Sequence, residues 1–150
     1  MASNKCAVTL REVTSENVRS ICELSVNEEQ KAYVAPNAIA VAEACYSREE
    51  WLQAIYADET PVGLAVVNVK PQQARFFLWR FMVDARYQRS DYGRRAMILL
   101  IEQVKTKPNN GEFFTSVVPG NHCPQGFYEN LGFQLTGEWY EGEALMRLAL

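Results

Sequence analysis

Apolar and polar positions alternate along Ala7-Val8-Thr9-Leu10-Arg11-Glu12-Val13, which predicts a half-buried first strand. Thr14 or Ser15 can cap a following helix. Val18, Ile21, Cys22 and Leu24 to Val26 then keep helical spacing, predicting about ten helical residues. A polar connection from Glu28 to Asn37 ends in a Pro-Asn signal, and the Ala-rich stretch Ala38 to Tyr46 is helical again. With Tyr33 and two carboxylates, that connection is either a solvated loop or a cover for a substrate cleft. Trp51 to Ala57 and Val62 to Val69 form a hairpin around Asp58-Glu59-Thr60-Pro61. After Lys70-Pro71-Gln72-Gln73, the near-continuous apolar run Ala74 to Val83 predicts a central strand buried on both faces.

Met97, Leu100, Ile101 and Val104 stand at i, i+3, i+4 and i+7, one apolar stripe on a helix from Tyr92 to Lys105 that ends at Lys107-Pro108-Asn109-Asn110-Gly111. Phe113 to Val118 is the next strand, Pro119-Gly120-Asn121 a turn, and Pro124 to Leu131 a short helix with Pro in its first turn and Gly132 past its end. Phe133 to Thr136 and Glu143 to Leu150 are strands around a Glu141-Gly142 turn. This order predicts an α/β protein of the α+β type, one mixed sheet with helices on both sides. Residues 1–150 are expected to be a single domain.

Composition narrows the partners. With 15 Lys and Arg against 18 Asp and Glu, the net charge of -3 argues against nucleic acid or an anionic membrane and favours a cationic or neutral small-molecule substrate. No apolar run approaches the roughly 18 residues of a membrane span, and Met1 to Lys5 lack a signal peptide's apolar region, so the cytoplasm is expected. Cys6, Cys22, Cys45 and Cys123 are irregularly spaced with only His122 as imidazole, which predicts buried or half-buried free thiols and no metal site.

The chemistry gathers at Leu78 to Arg95, an apolar run that breaks into a polar turn and opens into an amphipathic helix. Such a junction turns several backbone N–H groups one way, with the helix dipole behind them, and can hold a phosphorylated cofactor. Val83-Asp84-x-x-Tyr87-Gln88-x-x-x-x-Gly93, followed by Asn121 and Phe127-Tyr128-Glu129-Asn130-Leu131-Gly132-Phe133, resembles the GNAT superfamily of acetyl-CoA-dependent N-acetyltransferases. Tyr33 to Asn37, Leu78 to Asp84 and Thr136 to Glu138 resemble, within it, the bacterial spermine/spermidine acetyltransferase group.

The resemblance implies a mainly antiparallel six- to seven-stranded mixed sheet with a splayed central strand pair, Ala74 to Val83 beside Phe113 to Val118. Acetyl-CoA would enter that gap as co-substrate, pairing with the backbone of Phe81, Met82 and Val83. Its pyrophosphate would rest on the loop Gln88, Arg89, Ser90, Asp91, Tyr92, Gly93 and Arg94. The catalytic set is Val83, whose N–H would face the thioester oxygen; Asn121, on the cofactor arm or incoming amine; and Tyr128, which would protonate the departing thiolate. The acceptor is a primary amine, with a polyamine such as spermidine or spermine as one candidate, attacking directly in a ternary complex. Homodimers are common in the family, and Glu143 to Leu150 is the candidate interface.

The base stays open among Glu28, Glu29, Glu138, Glu141 and Glu143. Asp91 stands where the family's phosphate loop has its first Gly, and Arg89 follows Gln88 where Gly is usual. Eukaryotic polyamine acetyltransferases carry adjacent acids where this chain has Trp79 and Arg80. Two alternatives follow: a non-catalytic acyl-CoA-binding regulatory module, and a protein or peptide N-acetyltransferase.

Overall fold

In a computed structural model, which describes residues 6–70, 75–108, 111–120 and 123–150, seven strands join in one sheet. In chain order the elements are β1 Val8–Arg11, α1 Val18–Glu23, a 3-10 turn Glu28–Gln30, α2 Asn37–Cys45, β2 Glu50–Ala57, β3 Thr60–Lys70 and β4 Arg75–Val83. A second 3-10 turn, Ala85–Tyr87, leads to α3 Tyr92–Lys105, β5 Glu112–Val117, α4 Gln125–Glu129, β6 Gln134–Tyr140 and β7 Glu143–Ala149. The strands lie in the order β1-β2-β3-β4-β5-β7-β6, and every pair is antiparallel except β4 with β5. The mixed, mainly antiparallel sheet expected from the chain is therefore present. The breaks expected at 71–74 and at Asn109-Asn110 lie outside the described residues. Among the described residues no helix is long and apolar enough to cross a membrane.

Helices cover both faces. The α3 stripe, Ala96, Met97, Leu100, Ile101 and Val104, is buried, and most of it packs against Phe76, Leu78, Phe113 and Met146 on one face. On the other face Ile21 of α1 and Ala40 of α2 pack against Ala54, Leu64, Val66 and Met82. Each fully buried large side chain contributes about 1.5–3 kcal/mol, so the two layers hold the sheet from both sides.

Three expectations change. The first helix is six residues long, because Leu24 turns extended (ψ 139°) and buries its side chain and that of Val26 from an irregular segment. The last hairpin is longer than expected: β6 begins at Gln134, with Phe133 buried just before it. Its turn, Glu141-Gly142, has φ of 49° and 82°, the left-handed pair that a two-residue hairpin requires.

The third concerns β4, which is not buried on both faces. Its register against β3 slips between Val66 and Val67, so that Arg80 faces Val66 and Leu78 faces Val67, leaving Trp79 as the extra residue of a β-bulge. Leu78 and Phe81 consequently pack on the same, α3-facing side, although an unbroken strand would set them on opposite faces. Trp79, 41% exposed, and Arg80, paired with Glu43 of α2, share the other side. All four cysteines are free thiols; three are half-buried and Cys45 is exposed at the end of α2.

Candidate active site

The parallel pairing of β4 with β5 covers only four residues, Arg75 to Leu78 against Glu112 to Thr115. Thr115 Oγ1 donates to the Leu78 carbonyl at 3.2 Å at its last rung. Beyond it β5 stays with β7 through Val117 while β4 stays with β3 through Val83, so the two strands part. The Asp84 N–H donates to the Val62 carbonyl at 2.8 Å, which makes that the hydrogen-bonded rung of the β3–β4 ladder. Alternation along an antiparallel ladder then turns the Val83 N–H and C=O away from β3, toward the gap.

Asp84 closes the strand. It is 3% exposed; its Oδ1 accepts from the Arg86 N–H and Nε and its Oδ2 from the Ser25 N–H, all at 2.9 Å. Burial pushes its carboxyl up, but the Arg86 side chain and the two backbone N–H groups outweigh this and hold it below the usual carboxylate range. Gln88 follows, its Nε2 donating to the Val83 carbonyl and to Gln30 Oε1, both at 2.8 Å.

The next turn is left-handed at Arg89 (φ 63°) and Asp91 (φ 67°), the two positions where the family pattern has glycine. The bend survives because Asp tolerates this region better than most residues. Asp91 is the N-cap residue of α3, yet its carboxylate does not cap the helix. It accepts from Arg94 Nε and Nη2 at 2.8 Å each, and this pair raises the Arg94 pKa. Gly93, the second residue of α3, lies against the strand end: a Cβ there would stand 3.6 Å from Val83 and 3.7 Å from Phe127 and Phe81.

Tyr128 of α4 forms the far wall. It is 6% exposed, edge-on to Phe127 and Phe133 with ring centroids 5.2 and 5.6 Å away. Burial pushes its phenol up to about 12, with the Thr115 hydroxyl acting in the opposite direction.

These parts enclose a cleft of about 670 Å³. Of the residues expected in the site, Phe81, Met82, Val83, Gln88, Arg89, Asp91, Tyr92, Gly93, Arg94 and Tyr128 line it; Ser90 belongs to the loop without lining the cleft. Asn121 lies outside the described residues, as does His122. Val26, Gln30, Tyr33 and Val34 complete the opposite wall, so the connection after α1 is a cleft cover. Phe127 was not expected; its place beside Tyr128 on a short helix was the available signal. Asp84 was not expected either, and nothing local in the chain marks Ser25 as its partner. None of the five glutamates weighed as a base lines this cleft. Glu138 and Glu141 belong to a second concavity, about 690 Å³, over the uncovered face of β4 and β5, which none of the expected site residues among the described ones lines.

Comparisons with known proteins agree with this geometry. The model of the acetyltransferase (GNAT) family matches residues 18–133. Over 147 residues the chain is 24% identical to the spermine/spermidine N(1)-acetyltransferase of Bacillus subtilis, covering 93% of this chain and 97% of that one. Among solved structures, a PaiA N-acetyltransferase from Thermoplasma acidophilum in complex with coenzyme A superposes with a TM-score of 0.71 at 15% identity, over 96% of this chain and 99% of that one. The ribosomal-protein-S18-alanine N-acetyltransferase of Escherichia coli does so with a TM-score of 0.71 at 17% identity, over 95% and 94%. With the parted strands, the left-handed loop before α3 and the family match all falling on the same residues, the chain belongs to the acetyltransferase (GNAT) family and is an acetyl-CoA-dependent N-acetyltransferase.

Proposed function

We propose that this chain acetylates a primary amine carried on a small molecule, by direct attack of the amine in a ternary complex. The observation that carries the reading is the convergence, on one cleft, of the Val83 end of β4 with its N–H turned to the gap and the Tyr128 phenol on the facing wall. Acetyl-CoA supplies the activated acyl group. The residues fit its shape and charge: backbone of Phe81, Met82 and Val83 along the gap, and N–H groups from Arg89 to Arg94 at the start of α3, where an anion is favoured. The Val83 N–H stabilises charge developing on the carbonyl oxygen.

Tyr128 donates to the leaving sulfur. With its phenol pushed up to about 12 and an ordinary thiol near 8.5, complete proton loss is uphill by about 5 kcal/mol. The phenol therefore gives its proton to the sulfur only as it takes one from the attacking nitrogen, so that one proton passes from nitrogen to sulfur, the thiol leaves neutral and Tyr128 ends as the phenol it began. A polyamine such as spermidine or spermine is the first acceptor to try, from the name of the Bacillus relative. The cleft itself favours a less charged amine, since the one carboxylate among its described lining residues is Asp91, already paired with Arg94. We place the protein in the cytoplasm, as a homodimer through Glu143 to Leu150.

A thiol-release assay with acetyl-CoA across monoamines, polyamines and peptides tests the reading. Turnover with a small amine supports it, turnover with peptides alone would redirect it to a protein substrate, and coenzyme A binding without any turnover would refute it.

A further inference from the structure

We infer that Gln88 is a positioning residue: its side chain fastens the cleft wall formed by the connection between α1 and α2 to the Val83 peptide, and through that wall sets how tightly the amine is held. A carbonyl oxygen can only accept, so the Gln88 amide must present its NH2 to Val83, and its second N–H goes to Gln30 Oε1, at 2.8 Å in each case. Both donors of that nitrogen are then spent. Loss of the side chain removes one tie of the wall without removing any backbone N–H of the phosphate loop.

The wall it holds has little structure of its own. Between α1 and α2 it contains a single 3-10 turn and is tied to the end of β4 at Ser25, which donates to Asp84 and accepts from the Ala85 N–H at 2.9 Å. Gln30 is the second tie. The Tyr33 N–H donates to the Gln30 carbonyl at 2.9 Å, so the place of Gln30 sets that of Tyr33. Tyr33 in turn reaches Gly120, where a Cβ would stand 2.9 Å from its hydroxyl. A run of hydrogen bonds, Val83 to Gln88 to Gln30 to Tyr33, thus follows the cleft wall, and the Tyr33 hydroxyl end lies close against Gly120.

The kinetic consequence rests on the amine-acetylation reading; the fastening does not. Gln88→Ala is expected to raise the KM for the amine about tenfold while kcat and the coenzyme A Kd stay within about threefold. Gln30→Ala should reproduce this, and the double variant should be no worse than either single one, as expected for two ends of one tie. Weakened coenzyme A binding with an unchanged amine KM would overturn the inference and return Gln88 to the cofactor. Hydrogen exchange at Gln30 to Tyr33 reads the fastening without turnover: faster exchange in both variants supports it, and unchanged exchange overturns it. If the wild-type protein acetylates no amine, the functional reading falls and the exchange result alone decides the fastening. Should Gln88→Ala fold poorly, Gln30→Ala carries the same comparison from the half-buried loop side.

Discussion

Asp91 offers a direct test of the phosphate loop. Its φ of 67° puts a Cβ-bearing residue in the left-handed region, which costs an ordinary L-residue roughly 1–2 kcal/mol relative to glycine. In Asp91→Gly that strain is relieved, but glycine gives up about 0.5–1 kcal/mol more backbone entropy on folding and loses the exposed, weak pair with Arg94, so stability should stay within about 1 kcal/mol of wild type. Asp91→Ala keeps the Cβ, loses the carboxylate that pairs with Arg94 and gains nothing in return. It should be less stable than Asp91→Gly by about 1 kcal/mol, or about 2–4 °C in Tm for a chain of this length. Scanning calorimetry of the three proteins measures the difference; an alanine variant as stable as the glycine variant would mean that the left-handed turn is not there. The same pair reports on electrostatics. Removing the carboxylate frees Arg94 for a phosphate, so Asp91→Gly should bind coenzyme A about fivefold more tightly in titration calorimetry at low salt, with the gain shrinking as salt rises. Unchanged affinity would remove Asp91 from the phosphate site.

Tyr128→Phe should lower kcat about 100-fold with the coenzyme A Kd within twofold; because the wild-type phenol is pushed up to about 12, kcat should show no loss from its ionisation near pH 10. Gly63→Ala should cost about 2 kcal/mol or more in urea unfolding, since its Cβ would stand 2.3 Å from the Met82 carbonyl oxygen of the neighbouring strand, a backbone atom that must shift to admit it. Asp84→Asn should cost about 2 kcal/mol by setting an amide against the Ser25 N–H. As the Asp84 carboxyl is held below its ordinary value, its contribution is complete above about pH 4 and is lost as the pH falls through its folded-state value. Unfolding followed from about pH 5 down to about pH 2 should show that acid-dependent loss in wild type and less of it in the Asn variant.

Much of this architecture could be read along the chain. The α3 stripe has the helical period, and the helix runs from Tyr92 to Lys105 as its spacing predicts. The β2–β3 hairpin, the strand β5 and the short helix bearing Tyr128 were equally legible, because each is written in a local period or a Gly or Pro stop; that β5 lies parallel to β4 was implied by the family resemblance. The strand-to-helix junction from Leu78 to Arg95 was legible for the same reason, and the resemblance to the family then singled out the loop Gln88 to Gly93 within it.

Relations between distant segments were not. Period alone cannot show that β4 slips by one residue at Trp79, since apolar residues continue on both sides of the bulge and only the partner strand sets the register. Nor can it show that Ser25 and Gln30 are tied to Asp84 and Gln88, about sixty positions away in each case. Local sequence thus determines the elements and the chemistry offered at the loop, because hydrophobic period, caps and turns act over a few residues. Packing decides where the strands part, which way the Val83 N–H points and what closes the cleft, because those depend on groups brought together only when the sheet and its two helical layers assemble.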